Sequence, residues 1–323
     1  MRRRVVVFAL GALVAAAWPA AAQPQRVFLS LATGGTAGVY FPLGAALAEL
    51  WSGRVPNVQV TAQTSGASVA NIRLLQRGDV AIAMAQNDIT YYAFNGIEMF
   101  MDRIANQPAP VATLRGMAML YPETIQVVTL RSKNINSIAE LRGRRIAVGA
   151  PGSGTEVNAR QILRMFELGY YNTRPDFLNF AEAADQVKDG VVDAAFITAG
   201  HPTAAVQDIA ASRDLKLLPV PREVVEQLRA QWPYYTAVTI PPNTYRGQTE
   251  PVDTVAVMAM LVTRQDIDEA LIYSLTRTMW EHVDRLRAAH ARGRDVTTAT
   301  ARRGMPITMH AGALRFYREF GIR

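Results

Sequence analysis

Three short segments combine glycine with hydroxyl side chains in a way that suits holding an anion: TGGTAGVYFP (33–42), TSGASVAN (64–71) and GAPGSGTEVN (149–158). Each stands where an apolar run of strand type gives way to a helical pattern. A helix start exposes N–H groups with no intrahelical acceptor and carries positive partial charge, so a carboxylate or phosphate is well placed there. Gly35, Thr64, Ser65, Ser68, Ser153, Gly154 and Thr155 are the candidate contacts. Plain capping by Ser68 and Thr155 accounts for any one loop as readily. Three such loops at matching strand ends favour a shared site. None of them contains Lys or Arg, so an anion there must be met by backbone N–H groups, hydroxyls and helix dipoles. Arg73 and Arg115 lie outside the loops as candidates to reach in, and Glu156 either faces solvent or meets an amino group of the ligand.

Other residues at strand ends add to the list. Tyr40 follows the first loop and can cover a ligand with its ring while its hydroxyl donates; Phe41 beside it is expected in the core. Gln86 ends the apolar run 78–84, where α/β sheets place ligand groups, and Asp88 is expected to cap the next helix. Thr198 ends a second such run, and His201 follows in TAGHP. Trp232, Tyr234 and Tyr235 form an aromatic cluster expected to pack in the core.

Catalytic patterns are thin. Gly149 and Gly154 have P-loop spacing, but Thr155 stands where that loop needs Lys. No G-x-G-x-x-G opens the first strand–helix unit, and no G-x-S-x-G elbow occurs. The four His (His201, His282, His290 and His310) make no H-x-x-x-H or H-E-x-x-H, and there is no Cys, so neither a zinc site nor a bound cofactor is expected.

The elements that must position these residues alternate between strand and helix. RVFLSLAT (26–33), VQVTAQ (58–63) and GDVAIAM (78–84) read as strands, separated by helical stripes at Leu43, Leu47, Leu50 and at Val69, Ile72, Leu75. This βαβαβ run implies a parallel sheet. RRIAVGA (144–150), a helix bearing Ala159, Ile162, Leu163 and Phe166, and VDAAFIT (192–198) read as a second copy. GMAMLYPETIQVVTL (116–130) leads from the first unit to the second and VDTVAVMAMLVTR (252–264) returns. A helical tail follows, with Ile267, Leu271, Leu275, Met279 and Val283 at spacing four. The expected fold is α/β and periplasmic-binding-protein-like: two lobes with a hinge of two crossings and a helical C-terminal tail. Lobe 1 takes 23–122 and 253–323, and lobe 2 takes 123–252. A cleft between such lobes is the natural ligand site.

Residues 1–22 read as a cleaved signal peptide: Arg2 to Arg4, an apolar run from Val5 to Ala17, and Ala20-Ala21-Ala22 before Gln23. Export to the periplasm follows. The formal charge of +7 drops to +4 once the three signal arginines are set aside. The basic residues are scattered, so a nucleic-acid partner is not expected, and the mature chain is expected to act as a monomer.

LATGGTAGVYFPLGAALAELW, QTSGASVANIRLLQRGDVAIAMAQND, GAPGSGTEVNARQIL and MPITMHAGALRFYREFG resemble the TAXI family, the extracytoplasmic receptors of TRAP transporters. The resemblance implies a two-lobed receptor that closes on its ligand and a fused membrane component driven by an ion gradient. It implies a glutamate-like amino acid or a small dicarboxylate such as 2-oxoglutarate as ligand. It also implies that Tyr40, the Thr64-Ser65-Gly66 loop, Gln86 and the Ser153-Gly154-Thr155 turn face the cleft; His201 departs from the small or apolar residue expected there. A sensor presenting bound ligand to a signalling partner fits the same features, and an enzyme on this fold fits them less well.

Overall fold

The computed structural model describes residues 26–322; the expected signal peptide lies outside them. In chain order the first part comprises β1 (Val27–Ala32), α1 (Tyr40–Arg54), β2 (Val58–Gln63), α2 (Ser68–Arg77), β3 (Ile82–Gln86), α3 (Asn87–Asn95) and the small pair β4 (Met101–Asp102) and β5 (Gln107–Pro108). The long strand β6 (Leu114–Leu130) leads on to β7 (Arg145–Ala147), α4 (Gly154–Met165), β8 (Arg174–Asp176), α5 (Phe180–Lys188) and β9 (Ala194–Ala199). Then come α6 (Ala204–Ser212), β10 (Leu215–Leu218), α7 (Arg222–Gln231), β11 (Thr236–Ile240), the second long strand β12 (Val252–Arg264), α8 (Glu269–Glu281), α9 (Asp284–Ala289) and α10 (Ala311–Glu319).

One ten-stranded sheet carries all the strands but β4 and β5, in the order β2-β1-β3-β12-β6-β9-β7-β8, with β10 on β6 and β11 on β12. Its two ends mirror each other. β1 lies parallel between β2 and β3, and β7 lies parallel between β8 and β9. β12 closes the first trio antiparallel to β3, and β6 closes the second antiparallel to β9. The two long strands pair with each other along their length, with register shifts near Met258 and Leu261. The two α/β lobes and the two crossings are therefore present as the alternation of elements implies.

Strand and helix types follow from what each residue buries. β3 is buried at every position, as a strand covered on both faces must be. α2 buries Val69, Ile72 and Leu75 at spacings of three, a single apolar stripe. One face of the whole sheet is covered by α1, α8 and α10 on one side and α5 and α6 on the other. Trp51, Leu275 and Tyr317 share that cluster with Val187 and Ile209. The opposite face is split: Ile72, Ile89 and Tyr92 over the first lobe, and Ile162, Leu228 and Tyr235 over the second.

Among the boundaries that differ from the sequence expectation, three have a clear physical reason. β3 starts at Ile82 rather than at residue 78, because Gly78 closes α2 in the left-handed conformation (φ 81°) and the chain turns before the strand begins. The tail helix is not continuous: α8 ends before His282, and Val283 caps α9. Asp88 does not cap α3; Gln86 holds the cap position and Asp88 lies in the first turn, fully buried.

Candidate functional site

The C-terminal ends of the two parallel trios face each other, and a narrow cleft lies between them. Gly35, Tyr40, Ser65, Ser68, Gln86, Ser153, Gly154, Thr155 and Thr198 all line it. Thr64 and His201 do not. Thr64 is exposed. His201 is buried and places Nδ1 2.8 Å from Thr124 Oγ1; burial and nearby Arg292 push its pKa down to about 4, so it is a neutral ring at pH 7.

The helix starts are built differently from simple caps. Ser153, not Thr155, caps α4: its Oγ accepts from Glu156 N at 3.1 Å. Gly149 makes the preceding turn at φ 104°, packed so that a side chain there would strike Ser153 Oγ and Glu156 N. Ala67, not Ser68, occupies the cap position of α2, with φ 69° and ψ −145°, a conformation that costs a non-glycine residue about 1–3 kcal/mol. Ser68 Oγ instead accepts from Gln86 N (3.1 Å), tying α2 to the end of β3. Ser65 Oγ donates to Thr33 O (2.9 Å) and accepts from Ala67 N (3.0 Å), so its hydroxyl serves the loop. The N–H groups of Ser68, Val69, Gly154 and Thr155 have no acceptor among the described residues. Those are the donors a bound anion would take.

A fourth helix start joins them. Asn179 caps α5 through a full capping box with Glu182, and Asn179 and Phe180 line the cleft. The signal N-x-x-E was present at 179–182. Glu123, also missed, lines the cleft from β6. It is 2 % exposed, and its Oε2 accepts from Tyr40 OH at 2.8 Å. Burial pushes its carboxyl well above the usual range; the Tyr40 bond pulls it back and Asp88 pushes it up again. A lone acidic residue in the connecting segment 116–130 was the signal.

No Lys or Arg lines the cleft. Arg73 lies over the Phe100 ring and Arg115 binds Ala112 O and Leu114 O, both away from it. Glu156 accepts from Tyr170 OH (2.8 Å) and pairs with Arg160 (3.4 Å), so it too is outside.

The lips of the cleft touch. Ala70 N donates to Gly152 O (3.0 Å) and Ala205 N to Ala37 O (3.2 Å). Behind the cleft, Asn158 Nδ2 donates to Asp88 Oδ2 (2.9 Å) and Gln161 Nε2 to Tyr92 OH (3.2 Å). Tyr234 packs on Tyr91 with ring centroids 4.8 Å apart, so the aromatic cluster joins the lobes instead of lining the site. Desolvation raises Asp88 to about 6.

The sequence pattern of the NMT1-like family matches residues 31–321. This chain belongs to the NMT1-like family. Among solved structures, a protein from Bordetella bronchiseptica RB50 superposes with a TM-score of 0.57 at 14% identity, over 92% of this chain and 98% of that one. The alkanesulfonate-binding protein SsuA from Xanthomonas axonopodis pv. citri, bound to MOPS, superposes with a TM-score of 0.50 at 13% identity, over 93% and 96%. At that identity the likeness is one of fold. This NMT1-like chain thus has a periplasmic-binding-protein-like fold, the fold of solute-binding proteins. Among its described residues no helix is long and apolar enough to cross a membrane, and no group of His, Cys, Asp and Glu is placed to hold a metal ion.

Proposed function

We propose that this chain is a periplasmic receptor of the TAXI type, which captures a small carboxylate-bearing solute and delivers it to a TRAP membrane component. The convergence of helix starts from both lobes on one cleft without Lys or Arg carries the reading. A carboxylate there receives N–H groups of α2 and α4 and their dipoles, each hydrogen bond to the charged group adding about 1.5–3 kcal/mol. Ligand bridging of the two lobes would hold them shut, and β6 and β12 would bend as the hinge between lobe 1 (23–122 and 253–323) and lobe 2 (123–252). The closed particle is what the membrane component would read. The predicted signal peptide supplies the route to the periplasm.

A thermal-shift screen of organic acids and amino acids on the mature chain tests this. A true ligand at a hundredfold its Kd adds about 2.7 kcal/mol of stability, and small-angle scattering should show the particle contract. If no carboxylate shifts the melting temperature, the reading is wrong. Uptake of that ligand by a strain expressing a TRAP membrane component together with this receptor, lost on deleting the receptor, tests delivery.

A further inference from the structure

Two acceptor oxygens at the cleft have nothing to accept. Gln86 Oε1 is buried with no hydrogen-bond partner, and Glu123 uses only Oε2, toward Tyr40. The orientation of the Gln86 amide is fixed from behind. Asp88 Oδ2 takes Asn158 Nδ2 (2.9 Å), which turns Asn158 Oδ1 to receive Gln86 Nε2 (3.1 Å). The oxygen of Gln86 is therefore the atom left over, lying against Gly154 at the cleft. Thr198 Oγ1 is also buried and unpartnered, and also lines the cleft. Leaving a buried acceptor unmet costs about 1–3 kcal/mol, and a buried carboxyl is normally paired or neutral. No cation of the cleft lining meets either group.

We infer that Glu123 and Gln86 form an acceptor subsite for a protonated nitrogen on the ligand, so that the solute is a zwitterion with its carboxylate at the helix starts and its ammonium at Glu123. The inference deepens the receptor reading and rests on it. The titratable groups around Glu123 are Tyr40 from α1, Tyr121 on its own strand and Asp88 from α3. None is cationic; Arg292 acts on Tyr121 and His201. With the cleft empty, burial favours the neutral form of Glu123 over the carboxylate. An arriving ammonium displaces that proton to solvent, and the carboxylate left behind pairs with the nitrogen. Ligand binding is thus coupled to loss of the proton on Glu123.

The test begins with a thermal-shift comparison of the standard L-α-amino acids against their des-amino counterparts, glutarate for glutamate and isocaproate for leucine among them. The pair with the largest shift goes to calorimetry in two buffers of different ionisation heat, which reads proton release on the unmutated chain. The amino member should bind more tightly and with release of protons. Glu123→Gln keeps the size of the side chain and an acceptor for Tyr40. It should weaken the amino member more than roughly a hundredfold, abolish proton release and leave the des-amino member bound as before. Equal affinity for both members, no proton release, or full affinity in Glu123→Gln overturns the ammonium subsite. If des-amino acids bind best and Ser153→Asp abolishes that binding, the subsite falls while the receptor reading stands. If neither member of any pair binds, both fall.

Discussion

A methyl group added at Gly154 would stand 1.7 Å from Gln86 Oε1 and 2.4 Å from its Cδ. Gly154 belongs to the second lobe and Gln86 to the first, so the collision exists only when the lobes meet. Within its own lobe the substitution is benign: Gly154 is the first residue of α4 with ordinary helical geometry, and alanine there favours the helix by up to about 1 kcal/mol. To make room, Gln86 must surrender its bond to Asn158 (3.1 Å) and leave a buried oxygen unpaired, which costs about 1–3 kcal/mol. A strained rotamer adds about 0.5–1.5 kcal/mol. The end of Gln86 is flexible, so the lower part of that range applies, and about 2 kcal/mol corresponds to roughly thirtyfold in affinity. Gly154→Ala should therefore keep or slightly raise the ligand-free melting temperature. It should expand the particle in small-angle scattering and bind the ligand roughly thirtyfold more weakly by calorimetry. Unchanged affinity together with unchanged dimensions would refute the reasoning that the lobes close over this glycine.

Asp88→Asn should flatten the pH dependence of stability. The buried acid titrates near 6 instead of 3.8, so the fold favours its neutral form and loses up to about 3 kcal/mol as pH rises from about 4 to 6. Urea titrations of parent and variant across that window isolate it from His201, whose lowered pKa works in the opposite direction. Ser153→Ala should remove the cap on Glu156 N, costing about 1 kcal/mol of stability and weakening a carboxylate ligand about ten- to a hundredfold. Ser153→Asp restores the cap and opposes the ligand, so its melting temperature should hold while calorimetry shows binding lost. Trp51→Phe deletes a fully buried indole that donates to Leu275 O (2.8 Å); a drop of about 2–3 kcal/mol in denaturant unfolding with ligand affinity unchanged is expected.

The elements that sequence reading placed well are those whose burial is written in the residues themselves. β2 at 58–63 and β12 at 252–264 match residue for residue, because apolar runs bounded by polar turns leave little choice of register. The run 78–84 was legible as a strand but not in its start, since Gly78 spends its freedom closing a helix. The three glycine-rich loops were legible as helix starts facing one cleft. Which hydroxyl caps and which is left over was not: Ser68 and Ser153 differ only in how the backbone turns at Ala67 and Gly149. Thr64 and His201 adjoin strand ends as predicted, yet their side chains leave the cleft wall, a matter of strand direction that composition does not encode. Glu123 was hidden inside the segment 116–130, which was read only for its path between the two units. The start of α5 lacks glycine, and was passed over although its capping box is plain.

β12 is the last strand in the chain, yet it is a structural member of both lobes. Val255 and Val257 fill the core of the second lobe, while Met260 and Val262 fill that of the first. β3 and β6 each wait for it as a neighbour. Until residue 264 has been synthesised, neither half owns a complete sheet, and strands paired across such sequence separations form slowly. Completion of both lobes is thereby tied to the return of one late strand.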